Sequence, residues 1–207
     1  MSYRFYQEDR GYVFIHIPKT GGTSLEELLN NSPGITNDDQ TLTGHINARD
    51  TISLIENPSN YTIFSFVRNP WSWYVSWYFY ICKTRGIDSD FYLEYDNLNS
   101  FSDFLNYVFQ NESRLVFEDY GNRKFAQFTE WLELKDQKLI ENIFKIEDIA
   151  KNQYLLKEKI GLDICFDRKS NSTEHKRYVE YYNDSMVDMV AEMHRGDIKR
   201  FKYSFGE

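Results

Sequence analysis

Apolar residues in this chain gather in short β-branched or aromatic runs, each broken by a turn and followed by apolar positions at helical spacing. Val13, Phe14, Ile15 and Ile17 form one run; Pro18 ends it, and Leu25, Leu28 and Leu29 follow three and four apart. Ile63, Phe64, Phe66 and Val67 form a second, closed by Arg68-Asn69-Pro70, with proline suited to a first helical position. The pattern predicts strand 12–17, helix 22–30, helix 47–56, strand 61–67 and helix 70–84. Helix 100–110, helix 124–132, strand 142–146, helix 147–160 and helix 184–200 complete it. Strands alternating with helices imply an α/β fold, a central parallel sheet flanked by helices in three layers. Residues 31–43 and 85–99 read as polar insertions, expected beside a ligand cleft, where loops set specificity.

One helix stands out. Trp71, Tyr74, Val75 and Tyr78 share one face of helix 70–84, while Trp73, Trp77 and Tyr80 share another. A helix apolar on most sides is expected to be buried.

The chemistry collects where the two apolar runs end. After the first run comes Lys19-Thr20-Gly21-Gly22-Thr23-Ser24, leading directly into a helix. Glycines allow a close backbone approach, and the unpaired N–H groups of a helix start favour an anion. Lys19 adds a full positive charge and three hydroxyls add neutral donors, a set suited to phosphate or sulfate. The ATP/GTP loop G-x-x-x-x-G-K-[ST] places its lysine after the second glycine; here Lys19 precedes both. The second run ends in Arg68, at the strand end where open α/β sheets bind ligands. Its planar fork matches phosphate oxygens. Ser72 and Ser76 lie four apart on one face of the following helix.

Together, His16 to Ser24 (HIPKTGGTS) and Val67-Arg68-Asn69-Pro70 with Ser76 resemble the two donor-binding motifs of sulfotransferases that use PAPS (3′-phosphoadenosine 5′-phosphosulfate). The closest likeness is to the carbohydrate branch, of heparan 2-O- and chondroitin type, and its microbial relatives. It extends through Phe144-Lys145-Ile146-Glu147-Asp148 to Tyr178, Tyr181-Tyr182 and Phe201-Lys202-Tyr203, with residues 85–125 least matched. The resemblance implies a P-loop-like fold and an enzyme that moves a sulfuryl group from PAPS to a hydroxyl, expected on a sugar or glycan, releasing PAP without a metal. It implies that Lys19, Thr20, Gly21, Gly22, Thr23 and Ser24 hold the 5′-phosphosulfate and that Arg68 and Ser76 hold the 3′-phosphate. Lys19 would also stabilise charge on the leaving phosphate. Thr41-Leu42-Thr43-Gly44-His45-Ile46 looks like the family's Gly-His motif, which makes His45 the expected general base, a task suited to imidazole. A basic loop, 168–177, would close over the donor through Lys169 and Lys176. Many relatives are basic where this chain has Trp73, which weakens the case for a strongly anionic acceptor.

The other histidines read differently: His16 as a packed strand residue, His175 in a polar stretch, and His194 at the edge of a buried helix face. Length and composition fit one domain, 1–207, with a core built largely of 16 Tyr, 16 Phe and 4 Trp. Cys82 and Cys165 lack metal-ligand spacing and are expected as free thiols. A net charge of −8 argues against general nucleic-acid binding. No apolar run reaches spanning length and no secretion signal opens the sequence, so a cytoplasmic location is the expectation. Two other readings stay open: a P-loop nucleotide kinase-like enzyme, and a catalytically silent nucleotide-binding protein. Oligomeric state is left undetermined.

Overall fold

The structure, a computed structural model, describes residues 3–37, 46–84, 99–110, 127–166 and 176–207. These fall into two compact units, with the chain leaving the first at Arg68 and entering the second at Asn69.

The first unit is built on a sheet. Strands β1 (Tyr3–Gln7), β2 (Arg10–Ile15), β3 (Ile35–Asn37), β4 (Tyr61–Val67) and β5 (Asn142–Lys145) are ordered β3-β1-β2-β4-β5 among the described residues. β2, β4 and β5 are parallel, as expected. β1 runs antiparallel to both β2 and β3, so the sheet is mixed and not the wholly parallel one the alternation implied. The β1–β2 hairpin pairs Gln7 with Arg10, leaving Glu8-Asp9 as its turn. Glu8 takes the left-handed conformation there (φ 54°). Such turns usually carry Asn-Gly or Asp-Gly, and without that signal the hairpin could not be read from the sequence. β3 falls within the stretch read as a polar insertion.

Helices α1 (Gly22–Asn31), α2 (Ala48–Ser53), α5 (Phe128–Leu132), α6 (Ile146–Lys151) and α7 (Leu155–Ile160) accompany the sheet. Alternation along β2 and β4 sends Tyr12, Phe14, Phe64 and Phe66 to one face. There they meet Leu25 and Leu29 of α1, Ile149 of α6 and Leu156 of α7. Phe14 and Phe66 rings lie 4.9 Å apart, centroid to centroid. Burying each such ring stabilises the unit by about 2–3 kcal/mol. The alternate residues, Val13, Ile15, Ser65 and Val67, are buried as well, so both faces of the sheet are covered. The predicted helix 147–160 is two helices, α6 and α7. Asn152 leaves the helical conformation (φ −124°, ψ 100°), and its side chain accepts from the Tyr154 N–H at 3.0 Å.

The second unit is helical among the described residues: α3 (Pro70–Thr84), α4 (Phe101–Gln110), α8 (Asp184–Met193) and α9 (Arg195–Phe201). α3 is its axis, and Trp71, Trp73, Tyr74, Val75 and Trp77 are all buried, as its pattern predicts. Asn69 starts α3: its carbonyl accepts from Trp73 N–H at 2.9 Å and its Oδ1 from Ser72 N–H at 3.3 Å. Its amide also donates to Ser204 O at 2.9 Å, tying the C-terminal segment to the helix start. The predicted helix 184–200 breaks at His194 into α8 and α9. Buried His194 bonds Asp197 Oδ2 through Nδ1 at 2.8 Å and meets the Tyr74 hydroxyl through Nε2 at 3.2 Å.

Candidate donor site

The two junctions singled out in the sequence meet at one edge of the first unit. The register pairs Ile15 of β2 with Ser65 of β4, and Val67 of β4 with Lys145 of β5. The carboxyl ends of three parallel strands therefore lie side by side. From the first comes the turn 16–21, from the second Arg68, and from the third Lys145 leading into Ile146.

The turn is held from within. Thr20 is fully buried; its hydroxyl donates to the Ile17 carbonyl at 2.6 Å, and its N–H reaches the same oxygen at 3.4 Å. Thr20 thus anchors the loop to the end of its strand, and of the three hydroxyls expected to serve a ligand, its proton is directed inward. Thr23 is exposed and Ser24 partly so. Lys19 sits in the left-handed region (φ 63°), which costs a non-glycine residue about 1–2 kcal/mol. Such a conformation persists where neighbouring contacts enforce it. Arg68 supplies one: its Nη1 donates to the Lys19 carbonyl at 3.2 Å.

Both glycines have internal reasons to be glycine. Gly21 has φ 97°, and a Cβ there would lie 2.7 Å from Ile146 Cδ1. A Cβ on Gly22 would fall on the imidazole of His16. His16 is buried and stacks on Phe14 at 5.7 Å, packed as anticipated, but it lies just past the end of β2 and not within the strand. The glycines thus let the loop lie against Ile146 and His16, in addition to any ligand they admit. Helix α1 starts from Gly21 with no side-chain cap and no acidic residue in its first turn. Leu25 N–H bonds Gly21 O at 3.1 Å, so the first three N–H groups have no intrahelical acceptor, the arrangement that favours an anion.

Lys19, Gly21, Gly22, Thr23, Ser24 and Arg68 are therefore brought to one edge. Ser76 and Lys176 belong to the second unit: Ser76 is buried on α3, and Lys176 is exposed, its N–H bonded to the Tyr181 hydroxyl at 3.2 Å. His45 and Lys169 lie outside the described residues, as does His175. Asn47, next to the His45 segment, caps α2: its side chain accepts from Asp50 N–H at 3.1 Å. Trp73 is core. It is 3 % exposed and sits edge to face with Tyr74, Trp77 and His194. Cys82 is partly buried, Cys165 is exposed, and both are free thiols.

No described helix is long and apolar enough to cross a membrane. Among the described residues no cluster of three His, Cys, Asp or Glu side chains could hold a metal ion. A family model described as "Sulfotransferase family" matches residues 3–204, nearly the whole chain. No curated protein and no solved structure matches.

Proposed function

The chain belongs to the sulfotransferase family, and we propose on that footing that it moves a sulfuryl group from PAPS to an acceptor hydroxyl on a carbohydrate. The observation that carries the proposal is the bond from Arg68 Nη1 to the Lys19 carbonyl. It joins two strand ends that bear the cations expected at opposite ends of one nucleotide with an anionic group at each end.

In this reading the N–H groups at the start of α1, with Thr23 and Ser24, bind the 5′-phosphosulfate. Lys19 stands beside the oxygen that bridges sulfur and phosphorus. Arg68 takes the 3′-phosphate, and Ser76, Lys169 and Lys176 keep the parts the resemblance gives them. His45 removes the proton from the acceptor hydroxyl as its oxygen attacks sulfur. The bond from sulfur to the 5′-phosphate oxygen breaks in line, and PAP leaves with the bonding pair. Lys19 offsets the negative charge that gathers on that oxygen. As with phosphoryl transfer, alignment and electrostatics supply most of the acceleration. No step in this scheme calls on a metal.

Transfer of labelled sulfate from PAPS across a panel of oligosaccharide, phenol and peptide-tyrosine acceptors tests the proposal. Wild type is expected to label sugars, with His45→Ala and Lys19→Ala slowed about 100-fold or more. Labelling of phenols alone would overturn the carbohydrate assignment. Tighter binding of MgATP than of PAP would overturn the donor itself.

A further inference from the structure

Residues 203–207, and Tyr178 and Tyr182 before them, have no part in the scheme above, yet the second unit gathers them at the start of α3. Phe205 sits among the rings of Trp71, Tyr178 and Tyr182, with centroids 5.7, 5.7 and 5.5 Å away and planes turned by 72°, 86° and 72°. Aromatic quadrupoles favour such edge-to-face pairs. Phe205 is nonetheless 37 % exposed. It is clasped rather than buried, so the contact opens without unpacking the core. Trp71 itself is buried and fixed: its Nε1 donates to Val187 O at 3.1 Å, and its carbonyl accepts from the Tyr182 hydroxyl at 2.8 Å.

Hydrogen bonds close the same segment around Phe205. Ser204 N–H reaches Glu207 Oε2 at 3.1 Å, and Gly206 N–H reaches the Tyr178 hydroxyl at 2.6 Å. The Ser204 carbonyl accepts from Asn69 Nδ2 at 2.9 Å. Asn69 is buried, and its amide works in two directions: Oδ1 caps the first turn of α3 at Ser72 N–H, while Nδ2 holds the segment. The amide is a single plane, so the bond that holds the segment also orients the oxygen that caps the helix. Asn69 directly follows Arg68, and Ser76 lies further along α3. The two residues assigned to the 3′-phosphate are thus on either side of Asn69 in the chain.

We propose that Phe205 is a positioning residue for the donor: seated among Trp71, Tyr178 and Tyr182, it latches segment 203–207 to Asn69 and so fixes the start of α3 in the arrangement that binds the 3′-phosphate. This rests on the PAPS reading above. Phe205 touches no donor atom in that scheme; it acts through Asn69 on the stretch from Arg68 to Ser76. Thermodynamic linkage makes the effect reciprocal: if the latched state binds the nucleotide better, the nucleotide holds the latch shut by the same factor.

Calorimetric binding of PAP tests it on wild type, Phe205→Ala, Phe205→Tyr and Asn69→Ser, each held well below its melting transition. Phe205→Ala is expected to weaken PAP about 5- to 20-fold, and Phe205→Tyr, which keeps the ring, should recover most of the loss. Asn69→Ser keeps a helix cap but has no amide to hold Ser204, so it should weaken PAP as well. Combining Phe205→Ala with Asn69→Ser should cost less than the two single losses multiplied, because both open one latch; losses that multiply fully would overturn the shared latch. In wild type, saturating PAP should slow amide hydrogen exchange at Ser204 and Gly206 by about the same 5- to 20-fold, and this measurement decides should a variant not fold. If Phe205→Ala lowers only the melting temperature while PAP binds as tightly as to wild type, or if exchange at Ser204 and Gly206 ignores PAP, the assignment to Phe205 falls and the donor reading stands. Wild type that binds no PAP would overturn the donor reading and the latch with it.

Discussion

Arg68 Nη1 donates to the carbonyl of Lys19 at 3.2 Å, across 49 positions of sequence. The arginine that follows β4 thereby braces a lysine held in the left-handed conformation (φ 63°). One residue thus bears on both the shape of the 16–21 turn and the charge beside it.

Arg68→Lys is therefore expected to behave as a severe change although it keeps the charge. The ammonium is a point charge without the fork that bonds the carbonyl while facing a phosphate. PAP affinity should fall about 10-fold or more, and turnover should fall further because Lys19 loses its brace. A steady-state comparison of kcat and KM with a calorimetric Kd checks this. Unchanged kcat would mean the bond to Lys19 has no bearing on turnover.

The backbone and the amine of Lys19 can be separated. Lys19→Ala and Lys19→Gly both delete the amine, but glycine accepts a positive φ where alanine does not. Both variants should be nearly inactive, with Lys19→Gly more stable than Lys19→Ala by about 1 kcal/mol. Urea denaturation followed by fluorescence reads the difference. Equal stabilities would show that the turn is not strained.

Glycine substitutions should rank by what surrounds them. Gly22→Ala drives a methyl into the buried His16 ring and is expected to cost about 1–3 kcal/mol. Gly21→Ala adds left-handed strain to crowding with Ile146, 2.7 Å from the new Cβ, and should cost as much or more. Gly34→Ala meets nothing within 4 Å, so its loss reflects its positive φ alone, about 1–2 kcal/mol. Adding His16→Ala to Gly22→Ala should yield a double mutant more stable than the two separate losses predict, because the clash is gone. Thermal melts of the set test the ranking.

Alkaline pH should weaken the second unit. Burial pushes the phenols of Tyr74 and Tyr182 well above their ordinary value of 10, Tyr74 with a further contribution from Asp197 and Tyr182 with one from Tyr74. Below that value both states keep the proton, and the contribution is fully present. Above it the unfolded chain ionises while the folded one does not, so stability falls as pH rises, by about 1.4 kcal/mol per pH unit for each phenol. Urea melts between about pH 9 and 11 measure the slope. Tyr74→Phe should lessen it by one phenol's share; a slope unaltered by that change would put the titration elsewhere.

How much of this could be read from the chain follows from the range over which each signal acts. β4 and α3 were legible because their patterns are local: Ile63 to Val67 at strand spacing, then Pro70 and a run of aromatics. The β1–β2 hairpin escaped because Glu8 adopts a left-handed turn without glycine or asparagine. The break at His194 escaped because helical periodicity continues through it, while the partners His194 meets there, Asp197 and Tyr74, are set by the buried interior. Gly21 and Gly22 were legible as permissive residues, but nothing local names Ile146 and His16 as what they accommodate.

By itself the order of residues determined that a lysine would precede two glycines at a strand end, and that an arginine would end another strand, since apolar runs and their breakers act within a few positions. That those two strand ends lie side by side was decided by strand order and register. Those depend on how aromatic side chains far apart in sequence, Phe14, Phe66 and Phe144 among them, pack into one face. Backbone pairing then carries that packing to the strand ends, where it places the charges.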